Sequence, residues 1–223
     1  MKKLWLLVAA IAIVSCSPES TVDYALISGN VSNATAKEMT IYSADRSYTK
    51  KVSISEDGSF NDTIKATGNF TLYEARNATP LYLEAGNNIT INFDGKDYQN
   101  TIAISGNGSE ISTYLVAKSA KEKELMGKGT DVYKYGEVDY KKVVYSIKTA
   151  QENLLSEASG IADDFKVKEK RNINFGYLEK LNRFKSYHSH YAKKPDYEPS
   201  KDFLAELSSL AYDNEDDFNF SPA

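Results

Sequence analysis

Cysteine is almost missing from this chain: Cys16 is the only one in 223 residues. A lone thiol can form neither an intramolecular disulfide nor a C-x-x-C redox pair, so a disulfide scaffold and dithiol chemistry are both excluded. Histidine is nearly as scarce. His188 and His190 are the only two, and no G-x-S-x-G elbow accompanies them, so a serine nucleophile has no evident base. The chain also lacks a long apolar run. Its one continuous stretch, Leu4 to Val14, falls well short of the roughly 20 residues that span a bilayer. Finally, there is no basic excess: 27 Lys and Arg face 31 Asp and Glu, for a net charge of −4. Such a balance excludes nucleic acid and an anionic membrane face as electrostatic partners.

The short apolar run is itself informative. Lys2 and Lys3 precede it, and Ile13-Val14-Ser15-Cys16 follows at its end. This arrangement resembles the signal peptides of bacterial lipoproteins, in which the cysteine is acylated and becomes the new N-terminus. The resemblance implies that residues 1–15 are a cleaved signal peptide, that Cys16 carries lipid, and that residues 16–23 form a polar tether. Losing Met1 to Ser15 removes two lysines and no acids, leaving 25 basic against 31 acidic residues, or −6. Two or three acyl chains satisfy the two-anchor requirement for stable attachment. The expected partner is therefore a membrane, reached through lipid, and the expected location is the cell envelope, at the periplasmic or surface face of the outer membrane.

From Tyr24 to Gly108 the apolar residues alternate with polar ones. Leu26 and Val31, Met39 and Ile41, Val52 and Ile54, Phe60 and Ile64, Phe70 and Leu72, and Leu81 and Leu83 mark successive runs. Ile89-Thr90-Ile91-Asn92-Phe93 is the clearest, and Ile102 with Ile104 follows it. Glu56-Asp57-Gly58, Gly68-Asn69, Gly86-Asn87-Asn88, Asp94-Gly95 and Gly106-Asn107-Gly108 separate them. About seven or eight short strands at this spacing predict an antiparallel β-sandwich or barrel, one face of each sheet buried.

After residue 108 the period changes from two to three or four. Ser109 stands as an N-cap before Ile111, Leu115 and Leu125. Asp139 occupies a capping position before Tyr140, Val143, Val144, Ile147, Leu154 and Leu155. Ile173, Tyr177, Leu181, Phe184 and Tyr191 mark a long helix closed by Pro195 and Pro199, and Ser200 opens a short one with Phe203, Leu204, Leu207 and Leu210. The fold class is α+β, a β domain over 24–108 followed by an all-helical region over 109–223.

The β half carries several ordered motifs: Tyr24-Ala-Leu-Ile-Ser-Gly-Asn-Val31, Ile54-Ser-Glu-Asp-Gly-Ser-Phe60, Leu81-Tyr-Leu-Glu-Ala-Gly-Asn-Asn-Ile-Thr-Ile91 and Ile104-Ser-Gly-Asn-Gly-Ser109. Together they resemble the N-terminal domain of unknown function that precedes a thioredoxin module in anaerobe thiol–disulfide interchange lipoproteins. The resemblance covers most of residues 24–120, and helices between the two modules are usual in that family. It implies a helical spacer here and a redox module beyond it. This sequence has neither the C-x-x-C pair nor the βαβ pattern, so the family's catalytic residues have no positions to occupy. The chain reads as non-catalytic, with redox activity only if a thioredoxin module follows.

Several constellations carry a functional and a bland reading. In Tyr187-His188-Ser189-His190-Tyr191 the two imidazoles would share a face in a strand, but on a helix they point about 200° apart and cannot hold one ion. The acidic run Asp213 to Asp217 lacks EF-hand spacing and its glycine, so it reads as a solvated tail. Gly127-Lys128-Gly129-Thr130 lacks the first glycine of a phosphate loop and reads as an interhelical loop. Asp62-Thr63-Ile64 resembles a short O-glycosylation signal, which marks Thr63 as a candidate modification site. The sequons Asn69-Phe70-Thr71 and Asn88-Ile89-Thr90 reflect turn and exposed strand positions. Tyr73, Tyr82, Tyr98, Tyr114 and Tyr133 could line a sugar-binding face, but core or edge packing is the favoured reading, since tyrosine readily fills half-buried strand positions.

No catalytic residue, cofactor or metal set is expected from these readings. The leading expectation is a lipid-anchored scaffold, the front part of a thioredoxin-like lipoprotein. The alternative is a lipoprotein that binds a glycan, a peptide or another envelope protein. A carboxylate-based hydrolase stands a distant third.

Overall fold

The computed structural model describes residues 22–209 and Phe220. Cys16, the signal segment and the acidic run Asp213 to Asp217 lie outside the described residues. Eight strands come first: β1 (Ala25–Ser32), β2 (Glu38–Ser43), β3 (Thr49–Ser53), β4 (Ser59–Ile64), β5 (Gly68–Glu74), β6 (Asn77–Leu83), β7 (Asn88–Asp94) and β8 (Ala103–Asn107). A single-turn helix, α1 (Tyr98–Thr101), sits between the last two. The helical region follows as α2 (Glu110–Met126), α3 (Glu137–Glu157), α4 (Asp163–Tyr191) and α5 (Lys201–Leu204), with 3₁₀ turns at Asp131–Lys134 and Ala205–Ser209. No helix among the described residues is long and apolar enough to cross a membrane.

The strands form two four-stranded sheets, ordered β4-β1-β7-β8 and β3-β2-β5-β6. Between them lies one apolar layer built from the alternate residues Ile27, Val31, Met39, Ile41, Val52, Phe60, Ile64, Phe70, Leu72, Leu81, Leu83, Ile89, Ile91 and Phe93. The sandwich is therefore antiparallel with one exception: β1 and β7 pair in parallel, Leu26 opposite Asn88 through Ser32 opposite Asp94. A parallel pair needs a long crossover, and here the crossover includes the whole of the opposite sheet. In β1 the inward residues are Ala25, Ile27 and Val31, and Leu26 is only half-buried. The register places Ile27 opposite Ile89 and so decides which of the two adjacent residues faces the core.

At one seam the sheets nearly close, where Lys50 Nζ on β3 donates to Asp62 Oδ1 (2.5 Å) and to the Thr63 carbonyl (2.8 Å) on β4. At one end of the sandwich the buried Glu74 accepts from the amides of Thr35 (2.8 Å) and Ala36 (3.0 Å), the Thr35 hydroxyl and Asn77 Nδ2. Four donors satisfy a carboxylate that would otherwise be costly to bury.

Helix α3 starts at Glu137 after Gly136, two residues ahead of Asp139, which lies in the first turn where its charge favours the helix dipole. Helix α4 starts at Asp163, ten residues before Ile173, because Phe165 and Glu169 extend its buried stripe by i, i+4 steps. It ends at Tyr191, short of both prolines. Ser200 caps α5 as its sequence position predicts, its Oγ accepting from the Phe203 amide (3.1 Å). The Glu137 carboxylate takes the Ser200 amide (2.7 Å) and the Tyr197 hydroxyl (2.8 Å), which ties this segment back onto α3.

Gly176 lies inside α4, and a Cβ added there would meet nothing within 4 Å. Gly176→Ala is expected to stabilise the protein by about 0.5–1 kcal/mol, since alanine restricts the unfolded chain and fits the helix. A denaturant midpoint at or below the parent's would contradict this.

Candidate functional groove

The β5–β6 hairpin turns Phe70, Leu72, Leu81 and Leu83 inward. Strict alternation then sends Asn69, Thr71, Tyr73, Ala78 and Pro80 to the opposite face. β6 is an edge strand, which is where a proline can sit without breaking a ladder. Helix α2 covers that edge: Ser112 Oγ accepts from the Tyr82 amide (2.9 Å) and donates to the Tyr82 carbonyl (3.1 Å). Both edge-facing backbone groups of Tyr82 are thus satisfied by one buried hydroxyl. Pro80, two residues earlier, has its nitrogen on the same outward side, where an amide would have had no strand partner.

Between α2 and this outer sheet face runs an open groove of about 500 Å³. Asn69, Thr71, Tyr73 and Pro80 supply its floor, and Leu115, Lys118, Ser119 and Glu122 of α2 one wall. Glu169 and Asn172 of α4 close it. That volume falls within the roughly 300–1,000 Å³ of small-molecule sites, and the junction between two structural units is a common place for one.

Glu169 is only 1% exposed. Its carboxylate accepts from Lys118 Nζ (2.5 Å), the Tyr114 hydroxyl (2.8 Å) and Asn172 Nδ2 (2.9 Å). Burial, followed by the Glu169 charge, pushes the Tyr114 phenol far above its ordinary value, so the hydroxyl stays protonated and donates. Glu122 is held in turn by Lys180 Nζ (2.9 Å) and Gln151 Nε2 (3.0 Å). Hydroxyls, carboxamides and internally paired charges therefore surround an aromatic floor.

The five tyrosines singled out by sequence do not share one surface. Tyr73 lies on the groove floor, 36% exposed, and stacks on Tyr42 with centroids 5.2 Å apart at 18°. Tyr82 turns its ring edge to Phe165 (5.4 Å). Tyr98 is buried, its hydroxyl donating to the Ala78 carbonyl (3.0 Å) and lying 3.0 Å from Thr79 Oγ1. Tyr114 belongs to the Glu169 network, and Tyr133 packs against Tyr187 (4.7 Å) and Tyr191 (5.6 Å) in the helical region. Of the five, only Tyr73 is exposed, and the packing reading holds for the other four. Tyrosine buries a large apolar body, and the hydroxyls of Tyr82, Tyr98 and Tyr114 find partners in Glu84, the Ala78 carbonyl and Glu169.

His188 and His190 both fall on α4, as the helical reading requires. His188 is buried, with Nδ1 2.8 Å from the Tyr133 carbonyl, and His190 is exposed. Gly127-Lys128-Gly129-Thr130 is the loop between α2 and the following 3₁₀ turn. Thr63 sits half-buried on β4, opposite Leu26. Glu169 and Lys118 were not singled out from sequence. The available signal was a carboxylate at i+4 from Phe165 and i−4 from Ile173, a charge placed inside an apolar stripe.

No protein family matches this chain, and no curated protein matches it. Among solved structures it is similar to a DUF3823 family protein from Parabacteroides merdae, at 10% identity and a TM-score of 0.24. The overlap covers 38% of this chain and 47% of that one, so the chain spans about half the length of the structure it matches. None of these comparisons links the chain to the thioredoxin-like lipoproteins.

Proposed function

We propose that this protein is a lipid-anchored, non-catalytic module of the cell envelope, the front and spacer portion of a thioredoxin-like lipoprotein architecture. The observation that carries this reading is the position of the sole sulfhydryl, Cys16, directly after Ile13-Val14-Ser15 at the end of a short apolar run. A thiol consumed by acylation is unavailable for disulfide exchange, which requires a free thiolate. The helical half supports a spacer role. It is docked on the sandwich edge through Ser112 and Tyr82 and stiffened by the Lys118–Glu169 pair across α2 and α4. Such a junction holds whatever lies beyond the helices at a set distance and direction from the lipid.

Cys16→Ala is expected to move the protein from the membrane pellet to the soluble fraction, because a single apolar segment of this length cannot replace the acyl anchor. Continued sedimentation of the variant with membranes would overturn the anchor. The purified variant is also expected to reduce insulin no faster than buffer does. A rate above buffer would overturn the non-catalytic assignment.

A further inference from the structure

We propose that the groove between α2 and the outer face of the β5–β6 hairpin binds a neutral oligosaccharide, with the Tyr73 ring as its stacking platform. This goes beyond the anchor and spacer reading and does not depend on it.

Four observations point to this class of ligand. The Tyr73 ring is exposed yet held in place. It stacks on Tyr42, and the Arg46 guanidinium lies 3.8 Å from the Tyr42 ring centroid. Register explains the stack: Tyr42 stands opposite Thr71 and Tyr73 opposite Thr40, so the two tyrosines are diagonal neighbours on one face of the sheet. A ring fixed in this way loses little freedom when a ligand settles on it. Its negative face suits the weakly positive C–H bonds on the flat side of a pyranose.

Short polar groups border the ring. Thr71 lies beside it on β5, with Asn69 beyond, and Ser119 and Asn172 look in from the walls. Asn69 Nδ2 donates to the Phe220 carbonyl (2.6 Å), which sets the direction of its carboxamide. Hydroxyls and carboxamides both donate and accept, matching sugar hydroxyls that do the same.

Three of the four groove charges are committed to pairs within the protein. Lys118, Lys123, Glu122 and Glu169 line the groove, two cations against two anions. Lys118 is already paired to Glu169, and Glu122 to Lys180. A cation, or an anion drawn to Lys118, would have to break a pre-formed pair and leave its partner unmatched in a half-dry site, whereas a neutral polyol would not; Lys123 is exposed to solvent. Shape completes the case. At about 500 Å³ and open along one side, the groove admits a chain of sugar units rather than enclosing a small molecule.

The test is calorimetric titration of the full chain, held in a zwitterionic detergent without a sugar headgroup, against neutral gluco-, manno-, galacto- and N-acetylhexosamine oligosaccharides. Saturable binding to at least one is expected. Tyr73→Ala should weaken it by about tenfold or more, a difference of about 1.4 kcal/mol. Ser119→Trp, which fills the groove from the α2 wall and leaves the sheet untouched, should abolish it. Tyr145→Ala removes an exposed ring from α3, outside the groove, and should leave binding unchanged. Cys16→Ala should also leave it unchanged, so failure of the anchor and failure of the groove are separate results. The proposal is overturned by no binding across the panel, by binding restricted to sulfated or uronic sugars or to unstructured peptides, or by wild-type affinity in Ser119→Trp. If Tyr73→Ala fails to fold, Ser119→Trp decides alone.

Discussion

Gly29→Ala is expected to destroy the sandwich, with a loss of more than about 4 kcal/mol, the range reached when a core collision cannot be relieved. Gly29 sits in β1, a central strand flanked by β4 and β7, opposite Phe60 on one side and Ile91 on the other. A Cβ at this position would fall 1.8 Å from the Ile91 carbonyl oxygen and 2.7 Å from its carbon. These are backbone atoms of a strand paired on both sides, by β1 and β8, and cannot swing aside like a flexible side chain. The backbone φ of +152° adds strain for any residue with a Cβ. Relief would require parting β1 from β7, the single parallel pairing among the described strands. The expected result is an insoluble or unfolded variant, or one whose strand signal in circular dichroism melts far below the parent's. A melting temperature within a few degrees of the parent's would show that the close approach of β1 to β7 is wrong.

Phe184→Ala is expected to cost about 3–5 kcal/mol through loss of apolar contact and the cavity left behind. Phe184 is fully buried at the centre of the helical core. It stacks on Tyr140 from α3 (centroids 4.2 Å) and meets Phe203 from α5 (5.1 Å) and Tyr197 (5.9 Å). His188 lies one turn on, 4.9 Å away. One ring thus joins α3, α4, α5 and the loop between the last two, and alanine would reach none of them. For a chain of this size the loss corresponds to a fall of about 10 °C in melting temperature. A fall of less than about 3 °C would mean that these elements hold together without the aromatic cluster.

Much of the fold was legible in the sequence because hydrophobic period is a local property. Met39 and Ile41, Phe70 and Leu72, Leu81 and Leu83, and Ile89 through Phe93 all fall on the buried face at the expected alternation. Ser200 and Phe203 mark α5 for the same reason, since a capping hydroxyl and an amide three residues on are near neighbours along the chain. Non-local choices were not legible. Leu26 and Ile27 are both apolar and adjacent, and only pairing of β1 with β7 selects Ile27 for the core. The α1 turn carries no apolar period and is held by Tyr98, whose ring packs on Phe93 (5.3 Å). The groove was legible least of all. Tyr73 resembled four other tyrosines in composition and context, and its exposure follows from where α2 crosses the sheet. Glu169 and Lys118 are 51 residues apart and meet through the packing of α2 on α4.

By itself the sequence determined the class of the protein, a β half and a helical half joined near residue 108. It also determined that one thiol is present, directly after Ile13-Val14-Ser15 at the end of a short apolar run. Period, turn residues and composition are read one short window at a time, so a linear chain can state them. Tertiary structure decided the parallel pairing of β1 with β7, the covering of the β6 edge by Ser112, and the choice of one tyrosine in five to face an open groove. Each of these depends on the register or crossing of segments distant in the chain. There the energy belongs to the contact rather than to either segment, and neither stretch of sequence carries it alone.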